Sequence, residues 1–254
     1  MNIKIIILLS ILTLLFSCDN SIKKKQEEIT MSINDTLKQD KELKPVFGYR
    51  FIISGDFDGD GKTENLIEHF FSGIDNKETN KFYENLEYDD LVDLTMKKNP
   101  YSFVLSDNKS IDTLQVTGIA QNFGLSYLKN EGDLNEDGTD EVSYVVNFAD
   151  WSNLNTWHLV TYKDKKWQEI YSFPIWDWQL PDLPETTNQY GLFGLENKIV
   201  NSKDAITNNK IENELKNFKG LVKKVETNKV QVIYRNEEAD EDTLIVDLGK
   251  LKIK

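Results

Sequence analysis

Gly55-Asp56-Phe57-Asp58-Gly59-Asp60-Gly61-Lys62-Thr63-Glu64, followed by Asn65-Leu66-Ile67-Glu68-His69-Phe70-Phe71, is the stretch on which the fold turns. Its first half places acids at positions one, three, five and nine of a tight loop, with glycine at six. Its second half, Leu66 to Phe71, has the β-branched and aromatic character of a strand, and a similar run, Tyr49 to Ser54, precedes the loop. The reading is strand, acidic loop, strand. The pattern recurs as Gly132-Asp133-Leu134-Asn135-Glu136-Asp137-Gly138-Thr139-Asp140-Glu141, ahead of a second strand-like run from Ser143 to Phe148.

Alternate side chains of such a loop converge on one point, and the glycine at six permits the positive φ that folds the chain around it. Carboxylates crowded in this way repel one another unless a cation lies among them. Hard oxygen ligands in this number suit Ca²⁺ better than Mg²⁺, which demands a smaller and stricter octahedron. An EF-hand needs a glutamate at position twelve followed by a helix; that position holds Ile67 in the first loop and Tyr144 in the second, each inside a strand-like run. The EF-hand is therefore excluded. The strand-loop-strand pattern resembles the FG-GAP or VCBS-type repeats of integrin α-chain propellers and exported bacterial proteins. That resemblance implies two calcium sites, with side-chain ligands Asp56, Asp58, Asp60 and Glu64 in one and Asp133, Asn135, Asp137 and Glu141 in the other, and with the carbonyls of Lys62 and Thr139 as further oxygens. The first loop has four carboxylates to the second's three, so tighter binding is expected at the first. The plain alternative is a pair of Asp/Gly hairpin turns whose carboxylates are hydrogen-bonded without metal.

Further strand patterns lie at Tyr101 to Ser106, Asp112 to Thr117, Trp157 to Tyr162 and Trp167 to Phe173. The turn words Asp107-Asn108-Lys109, Asp164-Lys165-Lys166 and Thr227-Asn228-Lys229 predict hairpins, the last between Val222 to Glu226 and Val230 to Tyr234. Asn80 to Lys98, ending before Pro100, and Ser202 to Asn217 read as helices. Phe173 to Gly194, with three prolines, reads as a packed loop. The expected class is mainly β with one or two helices, a β-rich α+β fold of antiparallel hairpins in a partial propeller-like or sandwich arrangement. Two loops are not a series of blades, and the chain is too short for a full seven-bladed propeller.

At the N-terminus Lys4 precedes an apolar run from Ile5 to Phe16, too short for the roughly 20 residues of a membrane span and typical of a secretory signal. The run ends in Leu15-Phe16-Ser17-Cys18, which resembles the lipobox of bacterial lipoproteins, and Cys18 is the only cysteine in the chain. The resemblance implies residues 1–17 as a cleaved signal peptide, lipidation on Cys18 with palmitate-type chains, and an exported, membrane-anchored protein of the cell envelope, facing the periplasm or the cell surface. Asp19 to Lys44 has no aromatic residue and many charges, the composition of a flexible tether, with a short helix at Ile29 to Leu37 as the competing reading. Residues 18–44 are thus lipidated cysteine and tether. Residues 45–254 form one β-rich calcium-binding domain, or two joined halves, 45–120 and 121–254.

A net charge of −13 argues against nucleic acid as a partner, because phosphate backbones are bound by basic patches. His69 and His158 lack a second ligand at zinc spacing, and no Gly-x-Ser-x-Gly elbow or phosphate-cradling loop occurs. Trp151, Trp176 and Trp178 lie in an aromatic-rich stretch beside Asp150 and Asp177; such rings are more often core than sugar-stacking platform. Two functions remain: a non-enzymatic, calcium-stabilised binding or scaffold lipoprotein whose partner is an unknown envelope protein or glycan, and a glycan-binding or glycan-processing lipoprotein using the region from Trp151 to Trp178.

Overall fold

Along β3 (Glu64–Ser72) every second residue is buried, from Glu64 through Leu66, Glu68 and Phe70 to Ser72, as a strand with one face on a core requires. Around it the computed structural model describes residues 44–46, 49–79, 82–84, 88–116, 122–148, 152–181 and 205–251, all within the compact unit Leu43–Lys254. The fold is mainly β: three antiparallel sheets, a two-stranded ribbon and two short helices, with no closed barrel or propeller among the described residues. No helix among them is long and apolar enough to cross a membrane.

The first sheet runs β2 (Ile52–Gly55), β3, β6 (Pro100–Ser106), β7 (Leu114–Val116), with β4 (Lys77–Glu78) paired to the end of β3. The second is a meander of β8 (Asn122–Gly132), β9 (Glu141–Phe148), β10 (Leu154–Lys163) and β11 (Lys166–Trp176). The third joins β12 (Val222–Glu226), β13 (Lys229–Arg235) and β14 (Glu241–Asp247). β1 (Lys44–Val46) pairs with β5 (Phe82–Glu84) as the ribbon, and the helices are α1 (Tyr88–Lys98) and α2 (Ala205–Asn217).

Two apolar clusters make the meander the middle layer. In one, Phe51, Phe57, Leu66, Val104 and Leu114 of the first sheet and its loops meet Leu125, Leu128, Val142, Tyr144 and Val146. In the other, Tyr127, Val145, Trp157, Leu159 and Phe173 meet Val222, Val230, Val232 and Val246 of the third sheet. Neighbouring residues of β9 thus face different partners, and all of its residues from Glu141 to Asn147 are buried. Each fully buried large side chain contributes on the order of 1.5–3 kcal/mol.

The expected strands lie where the sequence places them, and the hairpin at Asp164-Lys165 has both residues at positive φ, +53° and +62°, as a two-residue turn of the I′ kind needs. Several elements differ from expectation, β4 and β14 among them, for which no strand was expected. The helix predicted from Asn80 begins only at Tyr88, because Phe82–Glu84 pairs with β1 and the tertiary partner overrides the helical pattern. β8 escapes the pattern because its register with β9 shifts three times, breaking the alternation. β11 runs past Phe173 through Pro174 to Trp176, which is tolerated on the outer edge of the meander; a short 3₁₀ turn, Asp177–Gln179, follows. Of the tether, Lys44 falls in β1; the signal sequence, Cys18 and the helix considered at Ile29 to Leu37 lie outside the described residues.

One buried carboxylate ties the first sheet to the second. Glu68, 1% exposed, accepts the Phe51 N–H at 3.1 Å on one oxygen and the Leu125 N–H at 2.9 Å on the other. Removing it strands two interior donors, each costing about 1–3 kcal/mol. Glu68→Ala is expected to lower unfolding free energy in urea by about 2–5 kcal/mol, whereas Glu68→Gln, which retains one acceptor, should cost less; equal losses in the two variants would show that the pairing is not the cause.

Candidate metal centre

The two loops fold alike, position by position. At position one, Asp56 accepts the N–H of Gly61 at 2.9 Å, and Asp133 accepts that of Gly138 at 3.0 Å. At position three, Asp58 and Asn135 accept the N–H of position five, Asp60 and Asp137, at 3.2 and 2.8 Å. At position five, Asp60 and Asp137 accept the N–H of position seven, Lys62 and Thr139, at 2.8 and 3.2 Å. At position nine, the buried Glu64 and Glu141 accept the N–H of position two, Phe57 and Leu134, at 3.1 and 2.7 Å, while those two side chains anchor the loops in the core. Gly61 and Gly138 have φ of +82° and +93°, the left-handed conformation that the sequence assigns to position six.

The first loop has the geometry of a cation site. Ligand oxygens of Asp56, Asp58, Asp60 and Glu64 all lie within 4.8 Å of one another, within the roughly 5 Å that oxygens on opposite sides of a Ca²⁺ ion span. This cluster could hold a metal ion. Asn108 and Ser110, from the turn between β6 and β7, support Asp58 Oδ2 at 3.1 and 3.4 Å. Burial pushes the Glu64 carboxyl above the ordinary range; the Phe57 N–H opposes this, and Asp58, Asp56 and Asp60 add to it. Lys62, whose ammonium lies 2.6 Å from Asp60, holds that carboxyl low.

In the second loop Asn135 replaces one carboxylate, and both oxygens of Glu141 are engaged, one by Leu134 N–H and the other by the Asn135 amide at 2.9 Å. Thr139 donates its hydroxyl to Asp137 at 2.7 Å. Burial drives the Glu141 carboxyl up to about 7, against the pull of Leu134 N–H and the Thr161 hydroxyl and with a further push from Asp137 and Asp133. The third sheet clamps this loop: Lys224 donates to the Asp133 carbonyl at 2.8 Å and pairs with Glu136 at 3.0 Å, and Thr227 donates to Glu136 at 2.7 Å.

The loops also touch each other, which sequence reading missed. Asp140 N–H donates to the Asp56 carbonyl at 2.8 Å, and Asp56 N–H donates to the Asp140 carboxylate at 3.2 Å. Asn130 donates to the same carboxylate at 2.7 Å and to the Ser54 carbonyl at 2.9 Å. A Cβ at Gly55 would collide with Asn130 Nδ2 and Asp140 Oδ2, so both side chains would have to shift from the hydrogen bonds they make there. The one sequence signal was the extra acid, Asp140 at position eight, where the first loop has Thr63.

The remaining candidates divide. His69 and His158 are strand residues paired with Glu78 at 2.9 Å and Glu169 at 2.7 Å. Trp157 is core. Trp176 and Trp178 stack with centroids 4.3 Å apart and planes at 15°, Trp178 is 60% exposed, and the Arg235 guanidinium lies 5.1 Å over Trp176. Trp151 and Asp150 lie outside the described residues. Comparison of the chain with protein-family models, curated proteins and solved structures returns no match.

Two outcomes follow from this geometry. In protein stripped of metal, Glu141 titrates near 7 when folded and near 4.5 when unfolded, so its stabilising contribution is full below 4.5 and is lost as pH rises through 7, by about 3 kcal/mol. Urea unfolding in EDTA from pH 5 to 8 should show that decline, and Glu141→Gln should flatten it; a flat profile for the unaltered protein contradicts it. Gly55→Ala should cost about 1–3 kcal/mol by forcing Asn130 and Asp140 apart, and should do less harm in an Asp140→Ala background, as a double-mutant cycle will read.

Proposed function

We propose that this chain is an envelope-anchored bacterial lipoprotein, lipidated on Cys18, whose β-rich domain binds calcium in both acidic loops and acts as a non-enzymatic binding or scaffold module. The observation that carries the metal reading is the convergence of Asp56, Asp58, Asp60 and Glu64 within 4.8 Å. The reading of a second ion rests on the second loop's repeat of the first loop's backbone pairing at positions one, three, five, seven and nine, while the gathered carboxylate cluster among the described residues is that of the first loop. Its lost carboxylate at Asn135 and its engaged Glu141 make it the weaker site. Calcium here works as a staple: an ion that binds the folded chain alone stabilises it by about 3 kcal/mol at one hundred times its dissociation constant. With no cysteine besides Cys18, disulfides cannot serve that purpose within the chain.

The lipoprotein reading rests on Leu15-Phe16-Ser17-Cys18 behind the apolar run. Glycan binding is the second reading, favoured by the stacked Trp176 and Trp178 with Trp178 outermost; a glycan-array signal that Trp178→Ala abolishes would establish it.

Adding EDTA should lower the melting temperature by on the order of 5–10 °C, with Asp60→Ala reproducing most of the fall. Calorimetric titration of calcium into the stripped protein should show two classes of site, and Asp58→Asn should weaken the tighter one; absence of heat at millimolar calcium defeats the metal reading. In cells, labelled palmitate should enter the chain and Cys18→Ala should abolish incorporation; equal labelling of that variant rules out the anchor.

A further inference from the structure

An unpaired sheet edge is a row of N–H and C=O groups that a second chain can take up, and folded proteins blunt such edges with short strands, lysine, proline or bulges. Among the described residues most edges are blunted in these ways. β1, β2, β4, β5 and β7 have two to four residues. The registers of β8, β11 and β12 shift against their neighbours, β11 holds Pro174, and β12 carries Lys223 and Lys224. β14 differs. It pairs with β13 at seven consecutive positions, Glu241 to Asp247, without a shift, and contains neither lysine nor proline.

The backbone of β14 is turned to receive a partner. Ile233 N–H donates to the Leu221 carbonyl, away from β14, so Thr243 opposite Ile233, and Ile245 two residues on, point their N–H and C=O outward. The Thr243 N–H rests on the Asp242 carboxylate at 2.7 Å. Leu244 is 45% and Ile245 54% exposed, on opposite faces of the strand, although Leu244 lies across from the fully buried Val232. The ends are fixed: Gln179 donates to Glu241 and Trp176 Nε1 to the Ala239 carbonyl, each at 3.1 Å, and Leu248 N–H donates to the Asn228 carbonyl at 2.6 Å. The open edge is thus held in the shape a further strand needs.

We propose that β14 is a docking edge for an extended segment of another protein, which adds as a further antiparallel strand, lays two apolar residues beside Leu244 and Ile245, and carries lysine or arginine at the end that meets Asp242. This deepens the binding-module reading, on which it rests, by naming a kind of partner; calcium, the lipid anchor and the glycan site do not enter it. The charges choose the occupant. Lys250 pairs with Asp247 at 2.9 Å, Lys229 pairs with Glu226, and the Arg235 guanidinium lies over Trp176. Glu237, Glu238, Asp240 and Asp242, all exposed at the turn end of the strand, have no ion pair among the described residues. A basic segment complements that end. A second copy brings the same acids: paired antiparallel about Leu244, it would set Glu241 of each strand opposite Asp247 of the other, and each chain carries a net charge of −13.

The probe is the capped peptide Thr-Thr-Val-Ile-Thr-Lys-Lys-Lys, whose valine falls opposite Ile245 and isoleucine opposite Leu244, followed by amide NMR on the full chain. It should shift the Thr243 and Ile245 amides and slow their exchange. N-methylation of the valine, which removes a donor aimed at Ile245, should weaken binding about tenfold; N-methylation of the isoleucine, whose N–H points away, should not. Glutamate in place of the three lysines should weaken binding about tenfold, as should Leu244→Lys with Ile245→Lys in the protein, where both side chains are exposed. Equal effects of the two methylations overturn the proposal, as does dimerisation in ultracentrifugation with the Ile245 amide already protected in the absence of peptide. If the peptide binds without moving the Thr243 and Ile245 amides, this inference fails and the binding-module reading stands. If it does not bind at millimolar concentration the inference fails, and a silent glycan array would then take the binding-module reading with it.

Discussion

Each acidic loop turns on a buried glutamate that accepts the backbone N–H seven residues before it, Glu64 from Phe57 and Glu141 from Leu134. This closes a nine-residue loop over its own carboxylates and pins an apolar side chain beneath it, so the loop and the core form together. The closed loops then become joints. The first is fastened to the second through Asp56 and Asp140, and the second is fastened to the third sheet through Lys224 and Thr227. Three layers that also meet through apolar side chains and through Glu68 are tied at these loops by polar contacts that run from β2 to β12.

Such a chain of joints is under electrostatic load. Four carboxylates converge in the first loop, Asp137 and Asp133 act on Glu141 in the second, and burial raises the proton affinity of Glu64 and Glu141, the local relief available without a metal. A divalent ion held by Asp56, Asp58, Asp60 and Glu64 would relieve the load of the first loop without neutralising the acceptor that closes it. The differences between the loops have a physical content: in the second, Asn135 stands where the first has a carboxylate and donates to Glu141, while in the first four carboxylates converge and Asp58 is braced by Asn108 and Ser110.

Much of this was legible in the sequence wherever the signal was local. The loop spacing, the glycines at position six, the strand after each loop and the hairpin turns at Asp164-Lys165 and Thr227-Asn228 depend on neighbouring residues, and they lie where the pattern puts them. The exclusion of an EF-hand holds as well, since Ile67 and Tyr144 sit inside β3 and β9. What the sequence hid was pairing at a distance. Phe82–Glu84 is a strand because β1 lies beside it, β8 is a strand despite its bulges because β9 accepts it, and Asp140 matters because Asp56 is next to it. Glu68, a lone acid in an apolar run, marks a layer junction that no periodicity announces.

β9 has one consequence of its own. A strand walled on both faces, with hydrogen-bonded neighbours on either side, offers solvent no direct approach; water must displace an outer layer first. The outer sheets can open while the middle holds, so amide exchange should proceed inward, and Val142 to Val146 should be the last backbone in the domain to give up its protons. Disassembly of this molecule therefore has a direction, set by which strand was enclosed when the layers came together.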